Sequence, residues 1–255
     1  MIRRWQPLAC LALVAGTTSC IDLSVDPAEV ASIEFVAPAN PSLVRGDTLV
    51  DTLGRADRLV ARVYTADGDL VADAPVYFVA TDTLVKVVNG NRIVAADTTG
   101  TSKVYAVSGQ LQSIARSLSI IRRPDSIAFN GTGPDTLRLR PPTSGTAIDT
   151  SKSVAVTVRA GTGSATPVRV KFELLRRGVL LAPGDTGTYA LVSSGARIST
   201  IDTTDGSGIA SRIVRVRTAT GASVTDTLVV RATVTMGGAL KDKPALRTVL
   251  ILPAP

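Results

Sequence analysis

Few side chains in this chain could do chemistry beyond folding it. None of its 255 residues is His, so no imidazole is at hand as a base near neutral pH. Acid–base work would fall to carboxylates, and these sit mostly in Asp-Thr and Asp-Gly pairs. A short acidic side chain there bonds neighbouring backbone and makes a turn. Asp67-Gly68-Asp69, and Asp202 with Asp205, bring oxygens close enough in sequence to raise calcium. Neither has EF-hand spacing, and both stand where an all-β chain needs turns. No catalytic residue, no metal ligand and no cofactor is therefore assigned, and the chain reads as a non-enzyme. The two thiols are Cys10 and Cys20. Cys20 follows Thr17-Thr18-Ser19 at the end of an apolar run, a place for covalent modification rather than catalysis.

Residues 1–20 read as an export signal. Arg3 and Arg4 make a positive start, and Leu8 to Gly16 a short apolar stretch. That stretch is too short to span a bilayer. The pattern resembles a bacterial lipoprotein signal, in which the Cys closing the lipobox becomes the lipidated N-terminus. The resemblance implies lipid attachment at Cys20, with several acyl chains for stable anchoring. Ordinary secretory cleavage near the same place is the alternative. With both Cys inside 1–20, the exported body has no disulfide and no Cys metal site. Residues 21–30 read as a tether.

The rest must supply a scaffold. Val, Thr, Ala, Ile and Leu dominate, with Gly, Pro, Asp and Ser between them, and no long segment has helical spacing. Branched side chains suit a pleated surface. Short alternating runs at Ser32–Phe35, Leu59–Val63, Pro75–Val79, Val85–Val88, Arg92–Ala95, Lys103–Val107 and Leu111–Ile121 are separated by turn residues. That spacing predicts a β-sandwich. Arg122-Arg123-Pro124 reads as a short stiff joint, because Pro restricts its own φ and its predecessor.

The chain then repeats itself. Ser126-Ile127-Ala128-Phe129 matches Ser32-Ile33-Glu34-Phe35, and Val170 and Phe172 match Val76 and Phe78, 94 positions on. All four Phe fall in these pairs and are expected as core anchors. Gly90-Asn91-Arg92-Ile93…Asp97-Thr98-Thr99 recurs as Gly195-Ala196-Arg197-Ile198…Asp202-Thr203-Thr204, 105 positions on. In each copy Gly is expected to bend the chain, Ile to face the core and Asp to bond a turn. The step from 94 to 105 implies 11 extra residues around 176–187. Arg176, Arg177, Val179, Leu180 and Leu181 there form the candidate contact loop, since binding residues concentrate on loops held by a rigid scaffold. The competing expectation is that the apolar three fold back on their own sandwich. Leu246–Leu252 looks like a closing strand without a counterpart in the first half.

These residues resemble the bacterial immunoglobulin-like (Big) domains of intimins and invasins. In the first half the match is carried by Gly68, Val76-Tyr77-Phe78, Thr81-Asp82, Val85, Val87, Gly90, Ile93, Ala95, Gly100, Thr101 and Val104. In the second it is carried by Val170-Lys171-Phe172 and Asp202-Thr203-Thr204-Asp205-Gly206-Ser207-Gly208-Ile209-Ala210. The resemblance implies two tandem immunoglobulin-like β-sandwiches, residues 31–123 and 124–255, used as stalk, spacer or adhesive module. It names no ligand.

Charge narrows the partners. The chain carries +7; without Arg3 and Arg4 the exported part has 26 cations against 21 acids, +5. Such a field favours anionic surfaces or acidic glycans. Arg169, Lys171, Arg215 and Arg217 would form a basic patch if their strands are neighbours; otherwise they are a solvated face. Nucleic acid is excluded as a partner by the lack of a recognition helix and by 4% aromatics. The expected partners are the membrane, through the anchor, and an envelope polysaccharide or protein. The expected place is the cell envelope, at the outer membrane or cell surface. A sugar site in the second domain's loops is the alternative function, weakened by a lack of aromatics to stack on.

Overall fold

A computed structural model describes residues 30–139, 147–182, 188–219, 225–236, 240 and 242–253. Residues 1–29, with the expected signal, Cys20 and most of the expected tether, lie outside the described residues, as do 183–187 of the expected insertion. The described residues are strands and turns, with no α-helix among them.

The first unit contains β1 (Val30–Phe35), β2 (Ser42–Val44), β3 (Ala61–Thr65), β4 (Tyr77–Ala80), β5 (Val85–Val88), β6 (Arg92–Ala95), β7 (Gly100–Ser108), β8 (Leu111–Gln112) and β9 (Arg116–Ile121). One layer is built from the β1–β3 and β5–β6 ladders; the other runs β2-β9-β7-β4, with β8 beside β7. The expected strand 111–121 is thus two, interrupted where the buried Ser113 hydroxyl accepts from Ala106 N–H at 2.9 Å.

The second unit contains β10 (Ser126–Phe129), β11 (Asp135–Arg138), β12 (Ala147–Ala160), β13 (Gly163–Ser164), β14 (Arg169–Arg176), β15 (Val179–Leu180), β16 (Tyr189–Val192), β17 (Ile201–Thr203), β18 (Ile209–Ala219), β19 (Asp226–Val234) and β20 (Ala245–Leu252). Its layers run β10-β12-β18-β16 and β11-β20-β19-β14, the latter with β15 and β17 added along the outer side of β14. In immunoglobulin lettering these orders are ABED and A′GFC. The chain is two tandem immunoglobulin-like sandwiches.

Alternation builds both cores. Along β19, Leu228, Val230, Ala232 and Val234 point inward and are buried, while the residues between them are partly exposed. Phe35, Phe78 and Phe172 are buried as expected, and the rings of Phe35 and Phe78 pack at 5.2 Å between centroids. Phe129 departs from expectation: it is only half-buried, and the Arg247 guanidinium lies 5.7 Å over its ring.

The register corrects the repeat. β2 runs parallel to β9 as β11 does to β20, so Leu246–Leu252 does have a counterpart, in β9. β5 pairs with β6 as β16 pairs with β18, which makes Ile209–Ala219 the partner of Arg92–Ala95. The ten-residue self-match is therefore not a structural equivalence. Its first copy is the turn into β6; its second is an added segment that precedes β18. Ile93 is fully buried, but Ile198 is 42% exposed. Asn91 and Ala196, at matching positions, both take φ +59°, but the glycine before them is left-handed only in the first copy, Gly90 at φ +72°. Asp97 pairs with Arg45 across 3.6 Å, and Asp202 lies within a strand rather than a turn.

The units share buried surface. Val44, beside β9, and Ile121, its last residue, belong to the same buried cluster as Leu137, Val156 and Phe172 of the second sandwich. The Ser42 hydroxyl donates to Pro167 C=O. A Cβ on Gly54 would stand 2.9 Å from Thr235 C=O, so glycine permits this close approach.

Candidate functional site

The proposed contact residues sit where β14 turns back on itself. Arg177 (φ +50°) and Gly178 (φ +79°) form a two-residue hairpin turn, which needs positive φ at both positions. Arg176 then pairs with Val179, and Leu175 with Leu180. The segment folds back as a strand, yet Val179 is 66% and Leu180 48% exposed. Leu181 packs against the core, and its N–H donates to Leu174 C=O at 2.8 Å.

Arg176 is not free for a partner. Its Nε donates to the Asp226 carboxylate at 2.6 Å, and Tyr189 OH donates to the same oxygen at 2.7 Å. The Arg176 guanidinium lies 5.3 Å over the Tyr189 ring. Tyr189 belongs to one sheet and the other two residues to the opposite sheet, so the triad clamps the layers together beside the hairpin. Burial, reinforced by the hydrogen bond to Asp226, pushes the Tyr189 hydroxyl up to about 12. Burial alone would raise the Asp226 carboxyl, but hydrogen bonds from Tyr189, Thr227 N–H and Arg176 outweigh it and hold it low.

Beneath the hairpin lies a cavity of about 210 Å³, lined among others by Leu180, Leu181, Tyr189, Lys171, Glu173 and Thr200. Its apolar wall is broken by Glu173, which takes Lys171 and Arg231 at 2.8 Å each. Burial opposes the charge on Glu173, but these two cations keep its carboxyl below the usual range.

The far wall is a strap that crosses from one sheet to the other. Val192 bridges Ile198, and Ser199 N–H donates to Leu191 C=O at 3.1 Å. Thr200 C=O then accepts from Phe172 N–H at 2.7 Å, and β17 pairs with β14 through Ile201↔Lys171. Arg212 fixes the strap. It occupies an inward position of β18, is 7% exposed, and reaches Asp202 at 3.1 Å and Ser199 Oγ at 3.0 Å.

Sequence reasoning missed Arg212 and Arg247, because it placed cations on a solvated face. Arg247 is an inward residue of β20 that donates to the carbonyls of Asn130, Gly131 and Gly133 and pairs with Asp135. The signal was present: the register makes Arg116 its counterpart on β9, and Arg116 donates to Phe35 C=O. The expected basic patch does not assemble. Arg169 and Lys171 lie on β14, Arg215 and Arg217 on β18 in the other sheet, and Arg217 is paired with Asp149 at 2.7 Å.

The carboxylates of Asp202 and Asp205 are engaged locally. Asp205 accepts from Ser207 and Ile209 N–H, and Asp202 holds Arg212 and Ser211 N–H. The 65–69 turn closes through Thr65 N–H to Asp69 C=O at 2.9 Å. Tyr77, 67% exposed, corrects the expectation that aromatics are absent from the surface.

No protein-family model matches the sequence, and no curated protein matches it. Solved structures do. The adhesin InvE of Yersinia pseudotuberculosis aligns at 15% identity over 86% of this chain, with a TM-score of 0.36. This chain spans 58% of the InvE chain. Domains 4 and 5 of the S-layer protein SbsC align at 14% identity, over 88% of this chain and 100% of that one, with a TM-score of 0.33. The fibronectin(III)-like modules of Clostridium thermocellum CbhA align at 10% identity, over 88% of this chain and 94% of that one, with a TM-score of 0.34. The likeness is one of strand architecture.

Proposed function

We propose that this protein is a non-enzymatic lipoprotein of the cell envelope, held by a lipidated Cys20, whose two joined sandwiches act as a structural or adhesive surface module. The observation that carries the reading is the shared core. With Val44 and Ile121 buried against the second sandwich, the domains cannot swing independently without exposing apolar surface. A rigid pair held at its N-terminal end presents the second domain, with its exposed Val179–Leu180 hairpin, away from the anchor. The partner of that hairpin would be an envelope polysaccharide or protein.

The test is fractionation with a palmitate analogue. The wild type should be labelled and sediment with membrane, and Cys20→Ala should do neither. Protease added to intact cells should degrade the wild type. Unlabelled or protease-resistant protein would refute the anchored, displayed reading. The cavity under the hairpin favours one second reading, a polysaccharide accessory site in domain 2. In that case Leu180→Ser should weaken binding on a glycan array without lowering the melting temperature.

A further inference from the structure

The outer edge of β4 in the first domain is built to take another strand. Thr81 N–H donates to Lys103 C=O at 2.9 Å, and the register continues through Val79↔Tyr105 and Tyr77↔Val107. The backbone groups of Tyr77 and Val79 therefore point to β7. Alternation turns the N–H and C=O of Phe78 and Ala80 outward. Among the described residues nothing pairs with them. The strand reads Tyr-Phe-Val-Ala and carries no charge. Lys or an inward charge is the usual protection of such an edge, and neither is present. Tyr77 and Val79, 67% and 38% exposed, stand beside the half-buried Tyr105 and Val107 as an apolar stripe on the outward face.

We propose that this edge pairs with the same edge of a second copy of the chain. The pairing is antiparallel, about a two-fold axis through Val79. In that register Phe78 lies opposite Ala80 of the second copy, and Ala80 opposite Phe78, so each outward N–H meets an outward C=O. Val79 meets Val79 at the axis, Tyr77 faces Thr81, and Asp82 falls opposite Val76, so no like charges confront each other. The two apolar stripes become continuous. The corresponding edge in domain 2 is covered by β15 and β17, so pairing through this strand closes at a dimer. Homotypic association goes beyond the anchored-module reading and does not depend on lipidation.

The test uses the full-length chain with Cys10→Ala and Cys20→Ala, in detergent, so that Val79→Cys supplies the sole thiol. Mild oxidation should give a disulfide-linked dimer. Val60→Cys, at a position 50% exposed in the same domain but off this edge, should stay monomeric. Sedimentation of the thiol-free chain should show a monomer–dimer equilibrium. Val79→Lys, which sets two like charges on the axis, should weaken it about tenfold or more at an unchanged melting temperature. A thiol-free chain that remains monomeric up to about 100 µM overturns the proposal. So does equal cross-linking of Val60→Cys and Val79→Cys, and so does a Val79→Lys variant that dimerises like its parent.

Discussion

The two sandwiches share eight strands in one order but treat the β4/β14 edge in opposite ways. In domain 1 the chain passes from β5 to β6 through residues 89–91, and the β4 edge is bare. In domain 2 the chain between β16 and β18 runs through residues 193–208, binds one sheet, then the other, and closes the side of the sandwich. Extra length here has become covering rather than a protruding loop. It also changes what must be buried. Closing the side traps Arg212 between the layers, where among the described residues Asp202, Ser199 and Ser211 C=O bond its guanidinium. The open domain has an accessible edge; the closed one has a buried cation whose partners hold the strap down.

The largest effect that tests this comparison is at the core anchors. Phe172→Ala should lower stability by about 3–5 kcal/mol in thermal or urea unfolding, and half-buried Phe129→Ala by clearly less. Equal losses would mean that Phe129 anchors the core as Phe172 does, against its burial. Next is the strap. Asp202→Ala leaves the Arg212 guanidinium buried without its carboxylate. A fully buried pair broken this way costs about 3–5 kcal/mol; with Asp202 30% exposed, about 1–3 kcal/mol is expected. Hydrogen exchange should then open β17 while leaving β4 of domain 1 unchanged.

The clamp at Asp226 gives domain 2 a pH dependence that arises from a contact between its two layers. Its carboxyl is held below the unfolded value, so its contribution is present above the unfolded pKa and is lost as pH falls through the folded one. Tyr189 has the opposite sign. Its hydroxyl is raised to about 12, so its contribution is complete below about 10 and is lost as pH rises through the folded value. Asp226→Asn should flatten the acid limb of domain 2 melting; an unaltered limb would remove the clamp from the account. The smallest effect is at the repeated hairpin. Ala196 holds a left-handed φ without a compensating side chain, so Ala196→Gly should stabilise by about 0.4–1 kcal/mol.

The all-β class, the tandem arrangement and three of the four Phe anchors were legible in the sequence, because alternation and turn residues act locally. What failed was equivalence by matching letters. Gly-x-Arg-Ile-x-x-x-Asp-Thr-Thr recurs, but strand pairing is decided by partners far along the chain, and β6 corresponds to β18 rather than to the second copy. Arg212 and Arg247 were passed over for a related reason. A cation at an inward position can be recognised only when the loop that satisfies it is seen to fold over it. Residues 176–181 were read as a candidate contact loop; they form a hairpin with Val179 and Leu180 exposed, and Arg176 is held by Asp226, fifty positions away and so invisible to local reading.

The parallel pairs β2–β9 and β11–β20 have a mechanical consequence. In each sandwich they join a strand near the chain's entry to the strand at its exit. Tension applied along the backbone drags such a pair in opposite directions along its own axis. Every hydrogen bond of the ladder is then loaded in shear at once, instead of being peeled open in turn. Ile121, at the end of β9, is also embedded in the next sandwich, so the pull passes between domains through packed side chains as well as through Arg122-Arg123-Pro124. A chain pulled between a surface and a bound partner therefore meets its load at the points where both domains are most resistant to it.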